Sequence, residues 1–328
     1  MTTPSADAAL PLVTILVPMR NEEAYIDACV ASLQQQQYPH LEILVLDGAS
    51  TDQSAALVAT RAHDDPRLRL LPNPARLQAA ALNVGAHAAT GEIIMRADAH
   101  AVYGPAYVST CVTHLLSGAA ENVGGCQRAV GTTPFTRALA AALNSPLGAG
   151  NAAYRVARAP QYTDTVWLGA WRRETLNELG GFAEDLAANE DYECNIRLRK
   201  RGGRILLDPA LESTYYPRAT PGSLWRQYFR YGIAKIRVLR RHPDSLAPRQ
   251  LAPPLCLLLL CAALIGVPRH PLPLLLLGCA YLLVLGAGAV TAARRAGWAT
   301  LPWLFLIYPT IHLAWALGFW WGLLATRG

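Results

Sequence analysis

Leu12-Val-Thr-Ile-Leu-Val-Pro18 is an apolar, β-branched run broken only by a threonine. It suits a parallel strand buried on both faces, because a strand with one wet face alternates apolar and polar residues. Downstream, Tyr25 to Gln36 carries Ile26, Val30 and Leu33 at helical spacing, and Leu41 to Leu46 is a second apolar strand. That strand ends in Asp47-Gly-Ala-Ser-Thr-Asp52, where Gly48 eases a tight turn and Ser50, Thr51 or Asp52 can cap a helix over Ser54 to His63. Leu68 to Leu71 reads as a third strand, Asn73 to Arg76 as a loop, and Leu77 to Ala89 as an Ala-rich helix closed by Gly91. Ile93-Ile-Met-Arg-Ala-Asp-Ala-His100 then supplies a fourth strand. Strands and helices alternating in short periods predict a doubly wound α/β sheet that takes its ligands at the carboxyl ends of the strands.

Asp47, Asp52 and Asp98 all fall at that edge. Side chains alternate along a strand, so Asp98 and His100 share one side. Two such groups can hold a divalent cation, and the cation a phosphate. A plainer role, Asp and His as turn formers, fits less well once the acids converge on one edge.

The chain beyond is less regular. Pro105 to Leu116 is an expected helix, and Asn122 to Val130 contains a strand. Thr132 to Ala159, rich in Ala, Gly, Asn and Pro, is either a mobile substrate-facing loop or a linker with a short helix. Val166 to Trp171 precedes a helix that starts at Arg172 and stops at Gly180-Gly181. Asn189-Glu-Asp-Tyr-Glu193 leads into an amphipathic helix with a cationic exit, Arg199-Lys-Arg201. Acids at its start and bases at its end complement the macrodipole, which alone would account for Glu190, Asp191 and Glu193. Arg204 to Leu207 is a late strand.

Composition splits the chain. No Asp or Glu occurs after Asp244, and Leu-rich runs fill that region. The formal charge of +6 is concentrated in Arg226, Arg230, Lys235, Arg237, Arg240, Arg241 and Arg249. Placed just before apolar runs, these residues suit an anionic membrane face, and no base-stacking motif or zinc spacing points to nucleic acid. Seven cysteines without a Cys-x-x-Cys pair argue against a disulfide framework or structural zinc. Met1 to Leu12 lacks the basic start and apolar core of a secretory signal, which leaves the soluble part in the cytoplasm.

Leu224 to Arg241 interleaves aromatic and basic residues, the pattern of a helix lying in a membrane interface or of a basic lid. Leu251 to Val267, Leu272 to Val290 and Leu301 to Ala325 each approach the roughly 20 residues needed to cross a bilayer. Trp298, Trp303, Trp320 and Trp321 fit interfacial belts, and Arg294-Arg295 outweigh Arg269-His270. This predicts a multi-pass protein of the inner membrane with three crossings, a cytoplasmic soluble domain and an external C-terminus. Pro253, Pro254 and Pro268 shorten the first segment, so a re-entrant hairpin of the first two is the other expectation. The expected blocks are 1–220, an interfacial helix over 221–249, and a membrane region over 250–328.

Six motifs in order carry a resemblance: Val17-Pro-Met-Arg-Asn-Glu-Glu23, Leu46-Asp-Gly-Ala-Ser-Thr-Asp52, Arg96-Ala-Asp-Ala-His100, Gly169-Ala-Trp-Arg-Arg173 with Gly180-Gly-Phe182, Asn189-Glu-Asp-Tyr-Glu193, and Gln227-Tyr-Phe-Arg-Tyr231. The chain resembles the family 2 glycosyltransferases of GT-A fold, in their succinoglycan-biosynthesis, ExoA-like branch. The resemblance implies a Rossmann-like, doubly wound mixed sheet acting on a nucleotide-sugar, UDP-linked by expectation. By that resemblance Pro18, Glu22 and Asp47 hold base and ribose, and Arg76 is a further donor contact. Asp98 binds Mn²⁺ or Mg²⁺ with His100 as candidate second ligand, and Asp191 is the general base. Glu190, Trp171, Gln227 and Arg230 meet the acceptor or the pyrophosphate. The implied acceptor is a polyprenyl-linked saccharide at the lipid bilayer, in exopolysaccharide or cell-surface glycan synthesis.

Two departures matter. The family commonly has Asp-x-Asp where this chain has Asp98-Ala-His100, and imidazole favours manganese over magnesium. Tyr231 stands where processive synthases carry tryptophan, which, with few crossings, favours addition of one sugar. The alternatives are a polyprenyl-phosphate-sugar synthase, whose phosphate acceptor needs no base, and a silent membrane scaffold. Asp191 speaks against the first, and the retention of Asp47, Asp98 and Asp191 together against the second.

Overall fold

The structure, a computed structural model, describes residues 10–149 and 152–325. Residues 1–9 of the stretch inspected for a targeting signal therefore lie outside the described residues. The chain opens with β1 (Val13–Met19), α1 (Ile26–Gln34), β2 (Leu41–Asp47), α2 (Ser54–Asp64), β3 (Leu68–Pro72), α3 (Gln78–Ala88) and β4 (Ile93–Arg96). Next come β5 (Ala101–Tyr103), α4 (Tyr107–Leu116), β6 (Asn122–Ala129), α5 (Pro134–Leu143), α6 (Pro146–Ala149), α7 (Ala153–Val156) and β7 (Gln161–Tyr162). It continues through β8 (Trp167–Arg172), α8 (Arg173–Glu178), α9 (Glu190–Lys200), β9 (Ile205–Tyr215) and α10 (Pro221–Arg241). Three long helices follow, α11 (Pro248–Gly266), α12 (Leu272–Ala296) and α13 (Leu301–Ala325).

Two compact units interleave along the sequence. The first is Met1–Gly125, Ala159–Glu184 and Arg197–Ser213; the second is Cys126–Arg158, Asp185–Ile196 and Thr214–Gly328. The boundaries expected at 220 and 249 mark changes of composition within the second unit.

The sheet runs in the order β3-β2-β1-β4-β8-β6-β9-β5, with β7 on β9. Strands β1 to β4 are mutually parallel, and β8 runs antiparallel to β4 and to β6. The sheet is thus mixed. Ile15, Val17, Ile43 and Val45 are fully buried, as the two-faced apolar runs require. Helix α1 covers the sheet with Ile26, Cys29, Val30 and Leu33, one face at i, i+3, i+4 and i+7. At about 1.5–3 kcal/mol for each large aliphatic chain removed from water, this core makes the strand ends a rigid edge.

The structure departs from the sequence expectations in three places. Strand β9 extends through Pro209 to Tyr215, beyond the late strand expected over Arg204 to Leu207. Asp208 Oδ1 accepts the Ala210 amide at 2.9 Å, which carries the chain across the proline. Among its described residues the stretch Thr132 to Ala159 is mostly helical. Thr133 and Thr136 cap α5 reciprocally, and Phe135, Ala138, Leu139 and Ala142 are buried. The short strands β5 and β7 have no counterpart in the sequence reading, because their few residues are too short a run for periodicity to show.

In the second unit, Thr220 caps α10 and the Ser223 hydroxyl donates to the Thr220 carbonyl at 2.8 Å. Helices α10 and α13 touch at their backbones. A Cβ on Gly318 would lie 2.1 Å from the Phe229 oxygen, and one on Gly232 would lie 2.5 Å from the Trp315 oxygen. Only glycine permits that approach. Three helices, 248–266, 272–296 and 298–325, are long and apolar enough to cross a membrane.

Candidate active site

In the first unit the carboxyl ends of β1, β2 and β4 lie side by side. Met19 is in register with Asp47, and Leu16 with Arg96. Counting on from that register brings Asp98 level with Pro18. Asp47 is half-buried at the end of β2, where its Oδ1 accepts the Ser50 amide at 3.1 Å and the Ser50 hydroxyl at 2.6 Å. This short-range turn is why Asp is wanted after the strand.

The loops after β1 and β2 are laced together. The Asn21 amide donates to Ser50 Oγ at 2.9 Å, and the Thr51 amide donates to Asn21 Oδ1 at 2.8 Å. The Glu22 amide donates to Ser54 Oγ at 2.7 Å, and the Ser54 hydroxyl donates to Asp52 Oδ1 at 2.5 Å. Asp52, expected at the ligand edge, works as a loop acceptor. Five non-glycine residues adopt positive φ among the described residues: Asn21, Ala49, Arg76, Leu168 and Asn189. Four of the five lie within two residues of a candidate site residue, and such conformations persist where the surroundings hold them. Arg76 itself, at φ 59, is exposed.

Asp98 is buried at 7 % exposure beyond β4. Its Oδ1 lies 3.4 Å from Nη2 of Arg96, whose side chain is itself buried. The Asp98 amide donates to the Tyr103 hydroxyl at 2.7 Å, and the Cys29 thiol donates to the Asp98 carbonyl at 3.4 Å. Burial, with the Asp98 charge adding to it, pushes the Cys29 thiol far up, so it remains a neutral donor. His100 sits with Nδ1 at 3.2 Å from Glu22 Oε1. The imidazole and the Glu22 carboxylate are thus brought together, a pairing the sequence reading did not contain.

The fit to a divalent cation can be read from these donors. Among the described residues no cluster of three or more His, Cys, Asp and Glu side chains could hold a metal unaided. One buried carboxylate suits a cation that completes its shell with diphosphate oxygens and water, as Mg²⁺ and its relatives do. The residues fit a metal that arrives with a phosphate ligand.

Trp171 is a core residue here. It is 1 % exposed in β8, opposite Ile94, with its ring edge-on to Phe182 at 5.8 Å. Its indole nitrogen has no hydrogen-bond partner.

In the second unit, the start of α9 carries Glu190, Asp191 and Glu193. Glu190 and Glu193 are each 3 % exposed, which goes beyond a solvated helix-dipole role, while Asp191 is half-buried. Asp191 Oδ1 accepts the Tyr192 amide at 2.7 Å. Glu193 Oε1 lies 3.0 Å from His242 Nε2. Lys235, 1 % exposed, donates to the Ser245 carbonyl at 2.8 Å and lies 4.6 Å above the Tyr192 ring. Tyr192 donates to the same carbonyl at 3.0 Å. These groups brace the acidic turn against the end of α10.

Gln227 donates to the Tyr231 hydroxyl at 3.0 Å, and Arg230 is exposed. Burial pushes the Tyr228 phenol up to about 12 and that of Tyr231 higher, so both remain neutral hydroxyls. The sequence reading missed Arg155, whose guanidinium lies 5.5 Å over the Tyr154 ring. It also missed Arg96, Tyr103 and Lys235. Arg96 was findable, since period two puts it on the side of Asp98. Lys235 was counted with the surface cations, and no local pattern marks one of them as buried.

The family model "Glycosyl transferase family 2" matches residues 14–178. The succinoglycan biosynthesis protein ExoA of Rhizobium meliloti (strain 1021) is 31% identical over 317 residues, covering 95% of each chain. A dolichyl N-acetyl-alpha-D-glucosaminyl phosphate 3-beta-D-2,3-diacetamido-2,3-dideoxy-beta-D-glucuronosyltransferase of Methanococcus voltae is 26% identical over 239 residues, 70% of this chain and 74% of its own. Among solved structures, the mannosyltransferase PcManGT from Pyrobaculum calidifontis, in complex with GDP-Man and Mn²⁺, superposes with a TM-score of 0.66 at 24% identity. That match covers 97% of this chain and 89% of the other. The mixed sheet is therefore of GT-A type.

Proposed function

The chain belongs to glycosyl transferase family 2, within its ExoA-like branch, and from that premise we propose that it transfers one sugar from a nucleotide-sugar to a hydroxyl of a lipid-linked saccharide, with inversion. As a glycosyltransferase of exopolysaccharide or related glycan synthesis it needs a donor site and a base. The observation that supports the reading most is the alignment of Asp47 and Asp98 at the carboxyl ends of parallel strands.

Pro18, Glu22 and Asp47 would line the base and ribose, with Arg76 at the rim of the donor. Asp98, with His100 as the candidate second ligand, would hold Mn²⁺ or Mg²⁺, whose chemistry there would be to neutralise charge on the leaving diphosphate. The reading is supported by PcManGT, which was solved with GDP-Man and Mn²⁺. Asp191 takes the proton of the acceptor hydroxyl as its oxygen attacks the anomeric carbon. The bond to the diphosphate breaks, its electron pair stays on the leaving oxygen, and the configuration inverts. General-base help of this kind is worth about 10²–10⁴-fold. Glu190, Gln227 and Arg230 serve the acceptor or the pyrophosphate. The fully buried Trp171 is a core residue of the sheet and does not fit direct contact.

The protein works at a bilayer, with the apolar region from Pro248 onward held by the inner membrane and the catalytic residues on the cytoplasmic side. Its test is incubation of purified protein with UDP- and GDP-sugars, a divalent cation and lipid-linked saccharides, followed by mass analysis. The expected product is the acceptor plus one sugar with nucleoside diphosphate released. A product formed only from polyprenyl phosphate would overturn the hydroxyl acceptor and favour the polyprenyl-phosphate-sugar synthase.

A further inference from the structure

Helix α13 is by composition a third membrane crossing, with the C-terminus carried to the far side. Its contacts at both ends say otherwise. Near its start, the Trp303 ring meets Phe135 of α5 edge-on at 5.8 Å, and the Tyr308 hydroxyl lies 2.9 Å from Ser145 Oγ. Exposed Thr133 and Arg137 border that contact. Toward its end, Gly318 and Gly322 lie against Phe229, Ile233 and Ile236 of α10. Arg240 donates to the Leu323 carbonyl at 3.3 Å. Next to Arg240, Arg241 pairs with Asp185, and Arg237 donates to the Asp185 carbonyl at 3.1 Å.

Among the described residues, the helices able to cross a membrane all begin at Pro248 or later. Ser145, Asp185 and Arg240 therefore lie on one side of the bilayer. Trp303 and Leu323 touch that same side, although about 30 Å of helix separates them at 1.5 Å per residue, roughly the thickness of the hydrocarbon. Were α13 to cross, α10 would be drawn into the hydrocarbon beside it, with its exposed Arg226, Arg230 and Arg237. Each would cost about 2.5–3.5 kcal/mol at mid-membrane on insertion scales.

The exposed residues of α13 define what covers its other face. Leu306, Leu313, Leu317, Trp321 and Leu324 form one apolar stripe at helical spacing. The buried Leu304, Ile307, Ile311, Gly318 and Gly322 occupy the opposite side. The hairpin α11–α12 is rooted on the same helix. Trp315 and Trp320 donate their indole N–H to the Gln250 and Pro254 carbonyls, each at 3.1 Å, and Tyr281 lies 3.1 Å from His312 Nδ1. The exposed cations of α10 suit an anionic leaflet.

We propose that α13 lies flat in the head-group region of a phospholipid leaflet, leaving α11–α12 as the only segment that penetrates the bilayer. The apolar stripe sinks into the acyl boundary by about 5–10 Å. The end of α13 stays on the side of the bilayer that holds Asp185. This replaces the external C-terminus expected from the sequence and is independent of which sugar is transferred.

The test uses the full chain with different epitope tags at its two termini, in sealed inverted membrane vesicles treated with protease. The expected result is that both tags are lost together, or both protected together, until detergent is added. Loss of one with protection of the other would place the termini on opposite sides and overturn the proposal. Arg218→Cys and Ala325→Cys, both at exposed positions outside the apolar stripe, give a second measurement in a background with Cys256, Cys261 and Cys279 replaced by serine. An impermeant maleimide is expected to label both sites from one side, and labelling from opposite sides would again overturn it.

Discussion

The two units hold their candidate residues by different means. In the first, Asp47 and Asp98 are placed by backbone register, and their immediate partners lie within a few residues: Ser50 for Asp47, Arg96 and Tyr103 for Asp98. In the second, the turn around Asp191 is braced by His242, Lys235 and Ser245, some 50 residues away in sequence. A strand end forms its site as soon as the sheet forms. A helix start depends on long side chains arriving from elsewhere. Changes in the first unit should therefore act on chemistry with little loss of fold, while changes in the second should mix the two.

The largest test is Asp191→Asn. Turnover should fall by about 10²–10⁴ while nucleotide binding, followed by calorimetry, stays near wild type. Unchanged turnover would remove Asp191 from the mechanism. Asp98→Asn, which keeps an acceptor beside the buried Arg96, should cost about 10²–10³ in kcat/KM and weaken cation-dependent nucleotide binding with little change in Tm. A large drop in Tm would show that the first unit does not separate chemistry from fold.

Gly318→Leu should be a stability change. Its Cβ meets the Phe229 carbonyl, so overpacking of about 1–3 kcal/mol is expected, read as a lower Tm in detergent with nucleotide binding retained. Tyr103→Phe removes the acceptor for the Asp98 amide. That should cost about 1 kcal/mol, a change of a few-fold seen mainly in the KM for nucleotide-sugar.

The smallest effect is on pH. The Arg67 side-chain hydrogen bond lowers the Asp65 carboxyl from 3.8 to about 2. A depressed folded pKa contributes stability that is present above about 4 and lost as pH falls through about 2. Asp65→Asn should flatten the acid limb by about 1 kcal/mol, discounted for the half-exposed arginine, in urea titrations between pH 4 and 2.

Much of the first unit was legible. Apolar runs ending in Asp47 and Asp98 announce parallel strands and their ligand edge, because period and turn chemistry are local properties. The pairing of Glu22 with His100 was not legible, since it depends on two loops meeting in space. In the second unit the acidic turn at Glu190 read equally well as a dipole cap, and only its burial distinguishes it. Trp171 matched a motif yet took a core position.

The sequence by itself determined the strand-and-helix order, the family, the acidic edge and the positions of the apolar helices. All of these follow from residue type at short spacing. Tertiary structure alone decided that Lys235 is buried, that Glu22 meets His100, and that α13 touches α5 at one end and α10 at the other. Hydropathy counts apolar residues without regard to what covers them. A helix covered by protein and a helix covered by lipid therefore look alike until the neighbours are in place.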